Sequence, residues 1–206
     1  MTRRQVHPIE AESYRRLRAR RDTGHLPPLA RAVAERIVHS SADLGYLDEL
    51  VIAEEPVLRA AADALAAGAP IVADVEMVAA GITSRPALCR VREAKADPSV
   101  GLTRSAAAVR LALEEVGHGA VWVIGCAPTA LEELIRLDAR PALVIGLPVG
   151  FVGAVESKEA LRASGLPAVS NRSEKGGSAV AAAAVNALLY PDLYENLPDP
   201  AEEPSL

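Results

Sequence analysis

His39 is the residue of this chain whose type and surroundings most directly suggest chemistry. It stands in "ERIVHSSADLG" (35–45), a stretch whose apolar spacing predicts an amphipathic helix. Arg36 precedes it by three residues, so both side chains project from the same helix face. A neighbouring cation lowers the pKa of an imidazole, whereas a bound polyanion raises it again. The pair suits a proton donor matched to an anionic ligand, and a histidine that only packs is the alternative left open.

A metal-binding role for His39 has less support from the sequence. The other histidines show no helical or hairpin spacing relative to it; they are His7, His25 and His118. The two cysteines, Cys89 and Cys126, lie far apart and outside any CxxC pattern, which predicts neither a zinc site nor a disulfide framework. We therefore expect no metal site.

The segment "GLTRSAAA" (101–108) places hydroxyl and guanidinium groups where a helix begins. Thr103 or Ser105 can serve as the N-cap of that helix, which is a purely structural role. Arg104, at the same helix start, can instead hold a carboxylate through two parallel hydrogen bonds. The sequence leaves both roles open.

Glycines in two later segments raise the question of an anion site. In "SEKGGSAV" (173–180), Lys175 and two glycines precede a helix start, where free backbone N–H groups and the helix dipole attract anions. A tight turn explains the same glycines equally well. "GLPVGFVGA" (146–154) matches neither the GxGxxG nor the GxxxxGK[ST] spacing, so it gives little support to nucleotide binding.

The elements that must position these residues follow an α/β pattern. Helices are predicted over 8–21 and 27–42, which form a helical N-terminal segment, and over 54–68. Short apolar strands then alternate with helices: strands at 69–77, 86–94, 119–125, 141–148 and 167–171, and helices at 105–116, 127–138, 156–164 and 176–189. This pattern predicts a mostly parallel sheet with helices on both faces. Ligands of such sheets bind at the carboxyl ends of the strands, where this chain has loops rich in Gly, Pro, Ser and Thr.

Length, charge and hydropathy limit the class of protein. The 206 residues suffice for one sizeable domain, which we place at 1–190, and we expect the acidic, proline-rich tail at 191–206 to be disordered. The net charge of −5 argues against a nucleic-acid binder. No apolar run approaches the ~20 residues of a membrane span, and the N-terminus lacks the apolar stretch of a signal peptide. We expect a cytoplasmic protein.

Arginines crowd the N-terminal segment of the chain. They are Arg3, Arg4, Arg15, Arg16, Arg18, Arg20 and Arg21. The sequence allows two explanations of this cluster: a solvated helix face, or an electrostatic funnel for a polyanionic substrate.

Several strings of the sequence, in order and at similar separations, resemble the precorrin-8X methylmutase family of cobalamin biosynthesis. They are "RIVHSSAD", "AGAPIVADVEMVAAGIT", "GLTRSAAAVRLA", "GCAPTALEELI", "PALVIGLPVGFVGAVESKEALR" and "KGGSAVAAAAVNALL". The resemblance covers nearly the whole chain, over about 8–190. Its most specific parts are "PVGFVGAVESK" and "TRSAAA".

The resemblance implies an isomerase that moves a methyl group from carbon-11 to carbon-12 of a tetrapyrrole. It would convert precorrin-8X to hydrogenobyrinate, or cobalt-precorrin-8 to cobyrinate. The step is understood as a 1,5-sigmatropic shift that needs no S-adenosylmethionine, nucleotide or redox cofactor. The resemblance also implies a homodimer with the substrate near the subunit interface. A tetrapyrrole carrier that binds and channels the product without catalysis is the alternative.

The same resemblance assigns roles to individual residues. His39 matches the family's histidine, which is proposed to donate or accept a proton at ring C. The residues matched to substrate contacts are Ser13, Arg36, Thr83, Arg104, Ser105, Gly176, Gly177 and Ser178. Carboxylates on the acetate and propionate arms of the substrate would account for the arginines.

Overall fold

The structure, a computed structural model, describes residues 7–191. Its helices are α1 (Pro8–Arg18), α2 (Pro28–Ser41), α3 (Tyr46–Glu49), α4 (Glu55–Ala66), α5 (Glu76–Gly81), α6 (Arg104–Val116), α7 (Pro128–Arg136), α8 (Ala154–Ala163) and α9 (Ser178–Leu189). Its strands are β1 (Leu50–Ile52), β2 (Ile71–Ala73), β3 (Val121–Ile124), β4 (Leu143–Gly146) and β5 (Ala168–Asn171). Proline stands in the first turn of α1, α2, α4 and α7, where its fixed φ and missing N–H suit a helix start.

The strands form one sheet in the order β1–β5–β4–β3–β2. The strands β2 to β5 are parallel and adjacent in chain order, whereas β1 pairs antiparallel with β5, with Leu50 opposite Asn171. Crossovers between parallel strands are right-handed, so successive connections lie on the same face of the sheet. In this chain α6, α7 and α8 lie on that face, whereas α5, which also lies between β2 and β3, packs with α9 on the other face.

Side chains of the strands alternate between two buried layers. In β3, Trp122 and Ile124 pack with residues of α6, α7 and α8, whereas Val121 and Val123 pack with residues of α2, α4 and α9. Helices therefore cover both faces, which explains why the strands read as uninterrupted apolar runs. The predicted α/β class, with a mostly parallel sheet and a helical N-terminal segment, is confirmed.

The structure differs from the predicted elements mainly at the sheet edges. The strand predicted over 86–94 is wrong, because within it only Leu88 pairs, through backbone hydrogen bonds with Ile71 and Ala73 of β2. The patterns also miss β1, α3 and α5, since elements this short show no periodicity. The tail predicted at 191–206 lies outside the described residues, except for Pro191.

A buried ion pair joins α1 to α2. Glu35 of α2 is 1% exposed, and Arg18, at the end of α1, donates to both of its carboxylate oxygens, at 3.0 and 2.9 Å. Thr23 and Arg31 donate to the same carboxylate. Burial alone would raise the pKa of Glu35, but the hydrogen bonds from Arg18 and Thr23 outweigh it and keep the pKa below its usual value. The charged pair fixes how α1 lies across α2.

We expect Glu35→Gln to lower the free energy of unfolding by about 3–5 kcal/mol, because the buried guanidinium of Arg18 then loses the charge of the carboxylate to which it donates two hydrogen bonds. Urea unfolding at pH 7 measures this change. Glu12→Gln is the matched control, since Glu12 pairs with Arg15 and Arg16 on the outer surface of α1, where ion pairs contribute little. Equal effects of the two substitutions would contradict the role of Glu35.

Candidate functional site

A small cleft, which we name the His39 cleft, lies between α1 and the end of α2. It has a volume of about 180 Å³. Its lining residues are Ser13, Arg16, Leu17, Arg20, Val38, His39, Ala42 and Leu44. Aliphatic and cationic side chains thus surround the imidazole, an environment that suits an apolar ligand bearing carboxylates.

Two contacts fix the ring of His39. Its Nδ1 shares a hydrogen bond of 2.7 Å with Ser13 Oγ. The ring of Tyr14, itself 1% exposed, stacks on the imidazole with centroids 5.2 Å apart and 20° between the planes. Because Nδ1 is engaged, Nε2 is the ring nitrogen left for a ligand. His39 is half-buried, so it is neither sealed in the core nor surrounded by solvent.

Arg36 and Glu10 set the electrostatic environment of His39. They form an ion pair between α2 and α1, and a guanidinium nitrogen of Arg36 lies 3.5 Å from the hydroxyl of Tyr14. Burial lowers the pKa of His39, the charge of Arg36 lowers it further, and Glu10 opposes the change. These surroundings favour the neutral imidazole, and an anionic ligand near Arg36 would raise the pKa of His39.

The structure places the N-terminal arginines in different surroundings, and an electrostatic funnel for a polyanionic substrate stays a prediction. Several of these side chains form ion pairs: Arg15 and Arg16 with Glu12, Arg18 with Glu35, and Arg21 with Asp48. Arg16 and Arg20 also line the His39 cleft and give it a cationic rim. Arg3 and Arg4 lie outside the described residues.

The end of α2 is connected to the carboxyl ends of the strands. Asp43, just past α2, accepts a hydrogen bond from Lys175 Nζ at 2.8 Å. Lys175 belongs to residues 172–177, named here the β5–α9 loop. Its ammonium also lies 3.7 Å from Glu49 and 5.7 Å from the ring centre of Tyr46. The loop that follows β5 and the chain that follows His39 therefore belong to one surface.

The β5–α9 loop lies close against the loop that follows β4. Gly177 N donates to Leu147 O at 2.9 Å, and Gly150 N donates to Glu174 O at 3.1 Å. A Cβ atom at Gly176 would lie 2.2 Å from Leu147 O, so no other residue fits there without moving the backbone. This contact alone accounts for Gly176. A role of Gly176, Gly177 and Ser178 in ligand binding stays a prediction.

The other predicted contact residues are not among those that line the His39 cleft. Thr103 is the N-cap of α6, its Oγ1 accepting from a backbone N–H of the first turn at 3.1 Å, so the alternative of Ser105 as the cap is wrong. Arg104 and Ser105 are the first residues of α6, and the side chain of Arg104 is exposed. Thr83 follows α5 and is also exposed.

The sequence does not single out two residues of the site: the aromatic Tyr14, which stacks on His39, and the acidic Glu10, which pairs with Arg36. They are spaced by four residues and therefore share one face of α1 with Leu17, which is buried. That spacing is the signal by which they could be found, because a helix turns the same face toward its neighbour at each such interval. Their contact with α2, however, is not encoded in either helix alone.

A buried carboxylate orders another loop at the carboxyl edge of the sheet. Asp74 follows β2, is 2% exposed, and accepts hydrogen bonds from the backbone N–H groups of Gly125, Cys126 and Ala127 at 3.1, 2.8 and 2.8 Å. Burial raises the pKa of Asp74 and outweighs the opposing effect of these bonds. The sequence signal was an acidic residue placed directly after a buried apolar strand.

A second cleft, of about 450 Å³, is larger than the His39 cleft but offers no acid or base. It lies at the amino end of β5 beside β1, and its lining is aliphatic apart from Ser170 and Arg162. The guanidinium of Arg162 already donates to Asn171 O at 2.8 Å. The imidazole of His39, which can transfer a proton near neutral pH, lines the smaller cleft, and that cleft is therefore the candidate site.

Two negative findings concern the described range only. Within residues 7–191, no three or more His, Cys, Asp or Glu side chains are grouped so as to hold a metal ion. Over the same range, none of the helices combines the length and the apolar character needed to cross a membrane.

Comparison with known proteins identifies relatives in sequence and in structure. A family model described as precorrin-8X methylmutase matches residues 8–191. The chain is 40% identical over 201 residues to cobalt-precorrin-8 methylmutase of Salmonella typhimurium, covering 90% of this chain and 95% of that protein. It is 42% identical over 196 residues to precorrin-8X methylmutase of Pseudomonas aeruginosa, covering 87% and 93%. The crystal structure of precorrin-8x methyl mutase from Thermus thermophilus matches with a TM-score of 0.75 and 36% identity, covering 89% of this chain and 96% of that chain.

We expect substitutions of the two charged neighbours to move the pKa of His39 in opposite directions. Arg36→Met removes a cation and should raise this pKa, whereas Glu10→Gln removes an anion and should lower it. NMR titration of the His39 ring in the ligand-free protein measures both shifts, with His118, beyond the end of α6, as the internal reference. An unchanged pKa in both variants would contradict the electrostatic coupling.

Proposed function

The chain belongs to the precorrin-8X methylmutase family, and on this premise we propose how its own residues carry out the family's reaction. The protein is an isomerase of cobalamin biosynthesis that moves a methyl group within its substrate. The bond from the methyl group to carbon-11 of precorrin-8X, or of cobalt-precorrin-8, breaks while a bond to carbon-12 forms. The product is hydrogenobyrinate or cobyrinate. Both changes occur within one molecule, so the enzyme need not supply a nucleophile.

His39 acts as the proton donor or acceptor at ring C of the macrocycle. The observation that supports this role is the fixed imidazole: Ser13 holds Nδ1, Tyr14 covers one ring face, and Nε2 is left for the ligand. A proton or hydrogen bond given to a ring nitrogen redistributes electrons in the conjugated system and lowers the barrier to the shift. One positioned acid or base of this kind contributes about 10²–10⁴-fold in rate.

Binding of the substrate prepares His39 for this role. In the free protein, burial and Arg36 keep the pKa of the imidazole below its usual value. Carboxylates on the arms of the tetrapyrrole would pair with Arg36 and with the cationic rim formed by Arg16 and Arg20. Those negative charges offset Arg36, so the pKa of His39 rises and the ring holds a proton when the substrate is in place.

The remaining substrate contacts belong to loops at the carboxyl ends of the strands. We place the rest of the macrocycle against Thr83, Arg104, Ser105, Gly176, Gly177 and Ser178. Support comes from the ion pair of Lys175 with Asp43, which joins the β5–α9 loop to the end of the helix that carries His39. Backbone N–H groups at the starts of α6 and α9 are suited to carboxylate arms.

The proposal includes a homodimer. Sites for drug-sized ligands enclose roughly 300–1,000 Å³, so the His39 cleft of about 180 Å³ is too small to surround a tetrapyrrole by itself. The loop after β4 exposes three apolar residues at the same edge of the sheet: Val149 at 46%, Phe151 at 96% and Val152 at 88%. A second copy seated on these residues would bury them and supply further walls for the substrate.

A cytoplasmic location is part of the same proposal. Cys89 and Cys126 are both free thiols, and Cys126 is exposed. Unpaired, accessible thiols suit a reducing compartment.

We expect His39→Gln to lower the rate of the methyl shift by about 10²–10⁴-fold, because the proton donor is lost, while hydrogenobyrinate still binds. Absorbance changes of the tetrapyrrole report turnover, and a titration with hydrogenobyrinate reports binding. His118→Gln is the matched control, since His118 lies just past the C-terminal end of α6, is not among the residues that line the His39 cleft, and bonds through Nδ1 to Ala139 O. Full turnover by the His39 variant with intact binding would contradict the acid–base role, and a wild-type protein that binds without turnover would support the carrier alternative.

We expect the wild-type protein to sediment as a dimer and Phe151→Asp to sediment as a monomer, because a charge in the buried patch opposes association. Analytical ultracentrifugation measures the change. Leu111→Asp, at a partly exposed apolar residue on α6, is the control and should stay dimeric. A monomeric wild type, or a Phe151 variant that stays dimeric, would contradict this interface.

A further inference from the structure

Lys158 is a buried lysine that the proposed mechanism does not use. It lies in α8 and is 0% exposed. Its Nζ donates to Asn171 Oδ1 at 2.8 Å, to Ser173 O at 2.6 Å and to Lys175 O at 2.6 Å. An ammonium has three N–H donors, and here each has an oxygen acceptor.

These direct partners of Lys158 are uncharged oxygens, so the ammonium is buried without a carboxylate in hydrogen-bond contact. Burial lowers the pKa of Lys158 to about 8; the more distant Glu49 and Glu174 oppose the shift, and Arg162 adds to it. The side chain is therefore still charged at pH 7. An apolar side chain of similar volume would fill the same space but would leave these three oxygens without the bonds from Nζ, so filling space does not explain a lysine at this position.

The acceptors show what the charge organises. Two of the three are backbone carbonyls within the β5–α9 loop, and the third is Asn171, the last residue of β5. Asn171 Nδ2 in turn donates to Lys175 O at 3.0 Å. The loop is thus turned inward around one ammonium, with its carbonyl groups directed toward α8.

The conformation of this loop determines two further contacts. With its backbone carbonyl held by Lys158, Lys175 extends its own side chain to Asp43, beside the His39 cleft. The loop is then also bonded to the one that follows β4: Gly177 N donates to Leu147 O, and Glu174 O accepts from Gly150 N. A change at Lys158 therefore reaches the loop proposed to contact the tetrapyrrole, although Lys158 itself is completely buried.

We propose that Lys158 is a positioning residue for the substrate: its ammonium holds the β5–α9 loop in the single conformation that presents Lys175 and the start of α9 to the carboxylates of the tetrapyrrole. This inference rests on the proposed function, because it deepens the assignment of that loop to the substrate site. It assigns Lys158 no contact with the reacting atoms.

The test compares Lys158→Met, which keeps the approximate volume but removes the charge, with Lys95→Met at an exposed lysine. Hydrogen exchange followed by mass spectrometry reports the order of residues 172–177, and a titration with hydrogenobyrinate reports affinity. We expect at least tenfold faster exchange in this loop and at least tenfold weaker binding for Lys158→Met, with KM rising more than kcat falls. The Lys95 variant should match the wild type. Native exchange and affinity in Lys158→Met would overturn the proposal.

A second variant covers the case in which Lys158→Met does not fold. Lys158→Ala leaves a cavity, and propylammonium added from solution can replace the missing group. Recovery of loop protection and product affinity with propylammonium but not with 1-propanol supports the proposal, because only the cation supplies three donors and a charge. Recovery with both compounds, or with neither, overturns it.

The outcomes also separate this inference from the function on which it rests. A wild-type protein that isomerises precorrin-8X, together with a Lys158→Met variant of native loop order and affinity, overturns the positioning role alone. A wild-type protein that does not isomerise precorrin-8X overturns the proposed function, and the exchange measurement on 172–177 still decides whether Lys158 orders the loop.

Discussion

The hydrogen bond between Ser13 Oγ and His39 Nδ1 is the contact on which the rest of the site depends. It forms only when α1 lies across α2 in one register, and the buried pair of Arg18 and Glu35 sets that register. The helix that carries His39 is itself fixed at its start, because Glu55 of α4 accepts hydrogen bonds from its first backbone N–H groups. The orientation of one imidazole therefore depends on a helix cap, a buried ion pair and the packing of α2 on the core.

Two buried ionisable side chains, one acidic and one basic, order the carboxyl edge of the sheet. The carboxyl group of Asp74 accepts from three backbone N–H groups after β3, and the amino group of Lys158 donates to backbone carbonyls after β5. In both cases a neighbouring element supplies one side chain that satisfies several backbone groups of an irregular loop. Loops without regular structure need such partners, since buried polar backbone groups left unpaired are costly. The regular elements of the fold thus determine the shape of the loops that we propose as ligand contacts.

The sequence predicted what repeats locally and missed what depends on contacts between distant segments. The strands around Trp122 and Val144 were predictable because strands buried on both faces read as uninterrupted apolar runs. The same reasoning failed at Leu88, where apolar residues follow one another but only a single residue pairs with β2. Residues 50–52, the edge strand β1, are too few to show a period.

In the candidate site, too, features within one helix were predictable and contacts between distant segments were not. Their spacing on one helix made His39 and Arg36 candidates for the site, and Thr103 was one of two predicted caps. The stacking of Tyr14 joins α1 to α2, and the contacts of Lys158 join α8 to the β5–α9 loop, so neither helix's own period encodes them. Such contacts follow from the tertiary structure and become visible only when the elements are assembled.

The close approach of Gly176 to Leu147 has a consequence for how this protein can be recombined with its relatives. The backbone of each loop fits closely against that of the other. A chimaera that takes only one of them from a relative would therefore pair two loops whose backbones do not fit. Segments 147–150 and 174–177 are separated along the chain, but in a chimaera both should come from the same parent. The same reasoning identifies the crossover points that a library of hybrid enzymes should avoid: those that fall between these two segments.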